Sequence, residues 1–277
     1  MEILSNDDLR KAAPSIFATH PHADVSSHYA FIPTIQIVDA LRDEGFMPVR
    51  AMSSATRNIE NRDFGKRMLR FRRAENLGSR LVGDEIPELV LINSHNRSSG
   101  YQLSAGIFRL VCSNGMVVKS SSFGDINIRH SGDVTGEVIE GSYKIIKEMP
   151  AIIDAMHHMK GVLLTDQQRN AYAESALMLR YGVDDDGIIK APISADSLLQ
   201  LRRPDDNKKD IWTTFNVVQE NFMRGGLRGV SSNGRNTRTR AVKSVYTDTH
   251  LNKALWMLTE KMTELVIAGA DYATAAL

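Results

Sequence analysis

The sequence predicts an α+β protein: an antiparallel β-meander with helices packed on it. Three observations lead there. Between residues 46 and 130, short segments alternate apolar and polar positions and are interrupted by Gly, Asn, Ser or Pro, the periodicity of strands on a half-buried sheet. A helical pattern precedes them, and from Val134 onward the period is helical again. Strands collected in one run and helices in another mark segregated elements rather than alternating β-α-β units. The 277 residues, 42% of them hydrophobic, are enough for one large domain or two small ones.

The elements follow in order. Residues 1–30 read as an irregular segment with Pro14, Pro21 and three histidines. A helix-plus-sheet core is expected over 31–160. It begins with IPTIQIVDALRDEGF, where Pro33 precedes the helix, Thr34 can cap it, Ile35, Val38, Leu41 and Arg42 share a side, and Gly45 ends it. Strands are expected at 46–54, 66–73, 88–95, 101–113, 115–121 and 126–130. Asn114-Gly115 reads as a hairpin turn because both residues accept positive φ. The helical stretch from Val134 contains Pro150, a kink or break.

The C-terminal part, 161–268, is helical with a basic loop at 221–247, followed by a frayed tail at 269–277. Thr165 with Gln168 forms a capping-box pattern, and Gly182 closes that helix. Ile211, Phe215, Val218 and Phe222 make a core stripe. Leu251, Leu255, Leu258, Met262 and Leu265 make another in the last helix.

Composition excludes several classes. With a single cysteine, Cys112, there is no internal disulfide, which fits a reducing cytoplasm; Cys112 sits in an apolar run and reads as a small hydrophobe. The start, MEILSNDDLRKAAPS, has no apolar h-region, so no secretory signal is expected. Nor does any run reach 18 apolar residues. His157 and His158 are adjacent, so on a helix they cannot face one ion, and there is no HExxH or Cys/His framework. Asp184-Asp185-Asp186 lacks the spacing of a calcium loop. GGLRG follows a helix rather than a strand, unlike a dinucleotide loop. No metal, cofactor or catalytic group is therefore expected, and the protein reads as a non-enzyme.

Charge is the informative feature. The net charge is only +1, yet residues 201–247 hold ten Lys/Arg against four acids, a local +6. Within that span, NFMRGGLRGVSSNGRNTRTRAVKSV carries five arginines, one lysine, four glycines and no acid. A second cluster, RNIENRDFGKRMLRFRR at 57–73, has seven basic residues and two acids. On a strand, Arg70 and Arg72 point one way while Arg67 and Arg73 point the other. Basic patches beside glycines that allow close backbone approach suit a phosphate backbone. The glycines further suit a mobile loop that orders on binding; the plainer alternative is solvated charge paired with nearby acids. Trp212, Tyr101 and Tyr246 are candidate base-stacking platforms.

The strings SIFATHPH, YAFIPTIQIVDALRDEGF, DFGKRMLRFR, INSHNRSSGYQLSAGIFRLVCSNGMVV, FGDINIRHSGD, VIEGSY, LRRPDDNKKDIWTTFNVVQENFMRGGLRG and LNKALWMLTEKM together resemble a phage- and plasmid-borne family, domain of unknown function nine-three-two. The resemblance covers about Pro14 to Met262. It implies a role on mobile elements: replication, recombination or counter-defence. Some phage members look like single-strand annealing recombinases, which implies a Rad52-like architecture in which helix and β-meander assemble into rings or filaments.

The leading expectation is a phage-type protein that binds single-stranded DNA and anneals complementary strands in the bacterial cytoplasm. It would act as a homo-oligomer on single strands and annealed duplex, beside a phage exonuclease or a host single-strand-binding protein, with no membrane. Arg224, Arg228, Arg235, Arg238, Arg240 and Lys243 are the expected phosphate contacts, with Lys66, Arg67, Arg70 and Arg72 as a second rail on the sheet. A counter-defence protein sequestering a nucleotide signal or a host defence protein is the alternative. A nuclease with unrecognised carboxylates is a further one.

Overall fold

The computed structural model describes residues 3–23, 25, 29–54, 63–78, 85–96, 98–109, 114–118 and 125–275, without the side chains of 114–115 and 270–275. The chain forms two compact units, one of residues 1–150 and 243–246, the other of residues 151–242 and 247–277. Mixed α+β organisation with an antiparallel sheet is observed, as the pattern of elements predicts.

The first unit begins with helix α1 (Asn6–Ala12), whose Ser5 and Asp8 form a capping box. Helix α2 (Thr34–Asp43) follows and packs against strand β1 (Phe46–Ser53). Then come β2 (Arg67–Arg73), β3 (Glu85–Asn93), β4 (Tyr101–Arg109) and β5 (Asn114–Val117) as an antiparallel meander, with β6 (Ile126–Ile128) also pairing β4. Each of the six expected strands is present. The registers Leu69↔Leu91↔Leu103 put these buried leucines in one row. Helix α3 (Val134–Gly161) comes down onto Leu103 at Gly141, where a Cβ would sit 2.7 Å from the leucine side chain. The opposite row holds Met68, Val90, Ile92 and Val117, clustered with Val245.

Three local expectations are corrected here. Thr34 does not cap α2. It is the first helical residue, the buried face is Thr34, Ile37, Val38 and Leu41, and its hydroxyl meets His95 instead. Asn114 and Gly115 do not form the turn: they pair with Arg109 and Phe108 inside the ladder, so the connection falls at 110–113. Those positions, Cys112 among them, lie outside the described residues. Pro150 does not end α3; the helix runs through it, and the division between the units falls there.

The second unit holds the end of α3, then α4 (Asp166–Tyr181), α5 (Ala195–Leu198), α6 (Ile211–Arg224), the hairpin β7 (Arg228–Val230) and β8 (Asn236–Arg238), and most of α7 (Val245–Ala275). The Thr165–Gln168 capping box and the positive-φ Gly182 bound α4 as expected. Helix α6 is buried on every side from Ile211 to Phe222, so it forms the centre of the unit. Trp212, Phe215 and Trp256 pack as an aromatic trio with centroids 5.5–6.1 Å apart. Gln219 donates to Asn252 at 2.9 Å, and Tyr172 and Thr259 share a bond of 2.9 Å. In α7 the buried face is Leu251, Asn252, Leu255, Trp256, Thr259 and Thr263, whereas Leu265 is exposed. The helix continues to Ala275, past the point where fraying is expected. No helix among the described residues is long and apolar enough to cross a membrane.

Candidate nucleic-acid interface

The two basic clusters have opposite fates. On the sheet, Arg67, Arg70 and Arg72 are 0–3% exposed. Strand alternation splits them as expected, but both sides are buried. Arg70 and Arg72 converge on Glu88 of β3, at 3.2 and 2.8 Å. Arg70 also donates to the Met116 carbonyl, and the Arg72 guanidinium lies 4.3 Å from the Phe108 ring centre. Arg67 donates to Asn93 Oδ1 and to the Ser15 carbonyl. Lys66 is half-buried, its ammonium 5.9 Å from the Tyr246 ring centre, and burial pulls its pKa down.

The expectation of a solvent-facing rail at Lys66, Arg67, Arg70 and Arg72 is therefore corrected: the three arginines are internal fixtures of the sheet. The readable signal was Glu88, an acid in phase with Val90 and Ile92 in an apolar strand. A carboxylate placed there needs a cation across the ladder.

In the second unit the charge stays outside. The stretch expected to be a mobile loop is an ordered hairpin. Gly225 ends α6 at φ 62°, and a Cβ there would lie 2.6 Å from the Arg240 carbonyl carbon, so only glycine fits. The base is laced by Gly226 N–H to Thr239 O (2.8 Å) and Thr239 N–H to Leu227 O (2.9 Å). At the tip, Ser231 N–H donates to Arg235 O, while the Ser231 hydroxyl accepts from Arg235 N–H. Along its edge, Val230 N–H donates to Pro192 O, and Gly229 sits where a Cβ would strike that carbonyl.

Some arginines of this region hold the scaffold. Arg180 donates to Phe222 O and Arg240 O, tying the hairpin base to α4 and α6. Arg202 donates to Asn221 Oδ1 and Gly225 O. Arg203 pairs with Glu220 and Asp206, and Arg224 with Glu220 at 3.1 Å. Arg224 is thus partly committed to an acid, although its side chain is 44% exposed.

Arg228, Arg235, Arg238 and Arg240 are exposed, and among the described residues no acid pairs with them. Arg228 faces Arg238 directly across the ladder. Like charges so placed repel, a cost of some tenths of a kcal/mol. Lys243 is exposed too, but it belongs to the first unit.

A depression of about 660 Å³ lies on the hairpin itself, lined by Arg228, Gly229, Asn236, Thr237 and Arg238, and two others join the hairpin to neighbouring elements. The larger, about 900 Å³, is lined by Arg180, Tyr181, Lys190, Arg238 and Arg240 and by one acid, Asp184. The Asp184 carboxylate accepts the N–H groups of Asp186 and Ile188, so it caps its own turn. The smaller, about 490 Å³, includes Arg202, Asn221, Arg228 and Arg238. Of the expected stacking aromatics, Trp212 and Tyr101 are buried in their cores, and Tyr246, in the first unit, is exposed. Tyr181, which the sequence did not single out, is the aromatic in the groove.

A family model described as Domain of unknown function (DUF932) matches residues 21–256. The chain belongs to that family. Two relatives from Escherichia coli (strain K12), UPF0380 protein YfjQ and UPF0380 protein YafZ, are each 37% identical over 259 residues, covering 94% of this chain and 91% of theirs. No solved structure matches. This DUF932 protein thus shares most of its length with its relatives, including the span that carries the basic hairpin.

Proposed function

We propose that this protein binds the backbone of single-stranded DNA through the basic hairpin of its second unit and anneals complementary strands without catalysis. The observation that carries the reading is the juxtaposed, exposed and acid-free set Arg228, Arg235, Arg238 and Arg240 on an ordered hairpin. Folding alone favours separating these charges, so their closeness on and beside one strand pair is accounted for by a polyanion that releases counterions on binding. Phosphate contacts of this kind leave base edges free to pair. The antiparallel meander followed by a long helix is compatible with a Rad52-like annealing architecture. In that reading copies of the chain assemble into a ring or filament, handing DNA on from an exonuclease or a host single-strand-binding protein.

A second reading has its own support. The groove of about 900 Å³ lined by Arg180, Tyr181, Lys190, Arg238 and Arg240 has the size and charge to hold a nucleotide, as a counter-defence protein sequestering a signal would need. One experiment separates the two. Labelled single-stranded oligonucleotide, then its complement, is added to the purified protein at low salt, and a parallel calorimetric titration uses a cyclic dinucleotide. Binding with faster annealing supports the first reading. Stoichiometric capture of the dinucleotide with no oligonucleotide binding replaces it with the second.

A further inference from the structure

We infer that the first unit contains a separate ligand site, centred on Arg67, that seats a small oxyanion: a phosphoryl or carboxylate group. It lies outside the hairpin and does not depend on the proposed DNA binding. Arg67 is fully buried. Its Nε donates to Asn93 Oδ1 at 2.8 Å and its Nη1 to the Ser15 carbonyl at 2.5 Å, while Nη2 has no partner. Both partners are neutral. Among the described residues no carboxylate pairs with Arg67, in contrast to Arg70 and Arg72, which share Glu88.

The surroundings are polar and neutral as well. His95 is held between the Thr34 hydroxyl at Nε2 and the Tyr29 hydroxyl at Nδ1, each at 3.0 Å. Asn93 donates to Thr34 at 2.9 Å, which joins this chain to Arg67. Tyr29 stacks on His130 with centroids 4.4 Å apart, and Tyr101 lies 4.8 Å from the same ring. Burial, reinforced by the Arg67 charge, pushes His95 down to about 2 and lowers His130. Burial also pulls Arg67 down to about 10, which leaves it cationic at pH 7. Among the described residues the cluster therefore carries one uncompensated positive charge.

Two more polar atoms here are buried without partners, Ser15 Oγ and His130 Nδ1. The Ser15 hydroxyl belongs to the residue whose carbonyl already meets the guanidinium. A buried unpaired cation is costly, and an oxyanion is the group that compensates it. A guanidinium offers the fork geometry that oxyanions accept, and the Ser15 hydroxyl supplies a further donor. A metal ion is disfavoured by the same charge.

The test uses the full chain. Imidazole ¹H–¹⁵N spectra are recorded while sodium phosphate, and separately sodium acetate, replaces sodium chloride at constant ionic strength. The expected result is a saturable movement of the His95 and His130 signals, half-complete below about 1 mM, with His157 and His158 unmoved. Phosphate alone acting assigns a phosphoryl group; acetate acting equally assigns a carboxylate. Ser15→Ala should weaken the response about tenfold without loss of stability, since its hydroxyl has no partner to lose. The conservative Arg67→Lys, which loses the fork, should weaken it further. A hairpin variant, Arg235→Gln/Arg238→Gln/Arg240→Gln, should leave it intact. No saturable response to either anion, a response undiminished in both Ser15→Ala and Arg67→Lys, or one abolished by the hairpin variant would overturn the assignment.

Discussion

The sheet of the first unit and the hairpin of the second take similar raw material, closely spaced arginines, to opposite ends. On β2 the arginines are interspersed with Met68, Leu69 and Phe71, the strand's edges are paired by β1 and β3, and the residues on both its faces are buried. One acid across the ladder, Glu88, then makes the burial of Arg70 and Arg72 tolerable. On β7 and β8 the neighbours are Gly229, Asn236, Thr237 and one exposed apolar residue, Val230, the ribbon has two strands, and no acid stands opposite. The comparison teaches that the count of charges does not decide exposure. The apolar residues between them and the acid across from them do.

The sharpest way to break the comparison is to remove that acid. Glu88→Ala leaves two arginines buried beside each other and should destabilise the first unit by about 3–5 kcal/mol. Hydrogen exchange of the β2 and β3 amides reads this directly. Both tryptophans, Trp212 and Trp256, lie in the second unit and report it separately. A loss below about 1 kcal/mol would mean that the sheet arginines behave as surface charges after all.

Next in size is charge reversal on the hairpin. Arg235→Glu/Arg238→Glu/Arg240→Glu should weaken single-strand binding at least about 100-fold, close to 3 kcal/mol, while thermal stability stays nearly unchanged. Fluorescence anisotropy and a melting curve on the same sample check both halves of that statement.

Acid should separate the two regions at about 2 kcal/mol. His95 is held near 2 in the folded state against about 6.5 in the unfolded chain. The unfolded state thus binds a proton that the folded state refuses, and stability is complete above pH 6.5 and lost as pH falls below it. Between pH 7 and pH 5 His95 alone should remove about 2 kcal/mol, with His130 adding in the same direction. Denaturant midpoints against pH, compared with His95→Gln, test the sign and the window.

The smallest effect sharpens the claim about repulsion. Arg238→Thr removes the like charge opposite Arg228 and replaces it with a strand-favouring residue, so it should raise stability by some tenths of a kcal/mol, at most about 1, while lowering DNA affinity. A variant that is both less stable and equally tight would show that the pair has a structural role.

The fold was legible because its signals were local. Six strands, the Thr165 capping box, the Gly182 stop and the α6 stripe all follow from period and turn chemistry within ten residues or so. The errors came from tertiary competition. Thr34 was drawn from a cap to His95, and Asn114-Gly115 was drawn into the ladder by its pairing with Arg109 and Phe108. For the site, the charge in the hairpin was visible, but its order was not. That order depends on Gly225 and Gly229 meeting backbone from Arg240 and Pro192, contacts no window along the chain contains. The buried Arg67 network escaped notice for a related reason: its members are Ser15, Tyr29, Thr34, Arg67, Asn93, His95, Tyr101 and His130, scattered over more than a hundred positions.

The most direct test of the central claim is the salt dependence of single-strand binding by the unmodified protein, measured by anisotropy from about 20 to about 300 mM salt without metal. Four free hairpin arginines predict that log K falls against log salt with a slope near −3, about −0.7 per phosphate neutralised. Adding the complement at low salt should then speed annealing. Absence of binding at the lowest salt, or a slope that the hairpin charge reversal leaves unchanged, would contradict the account.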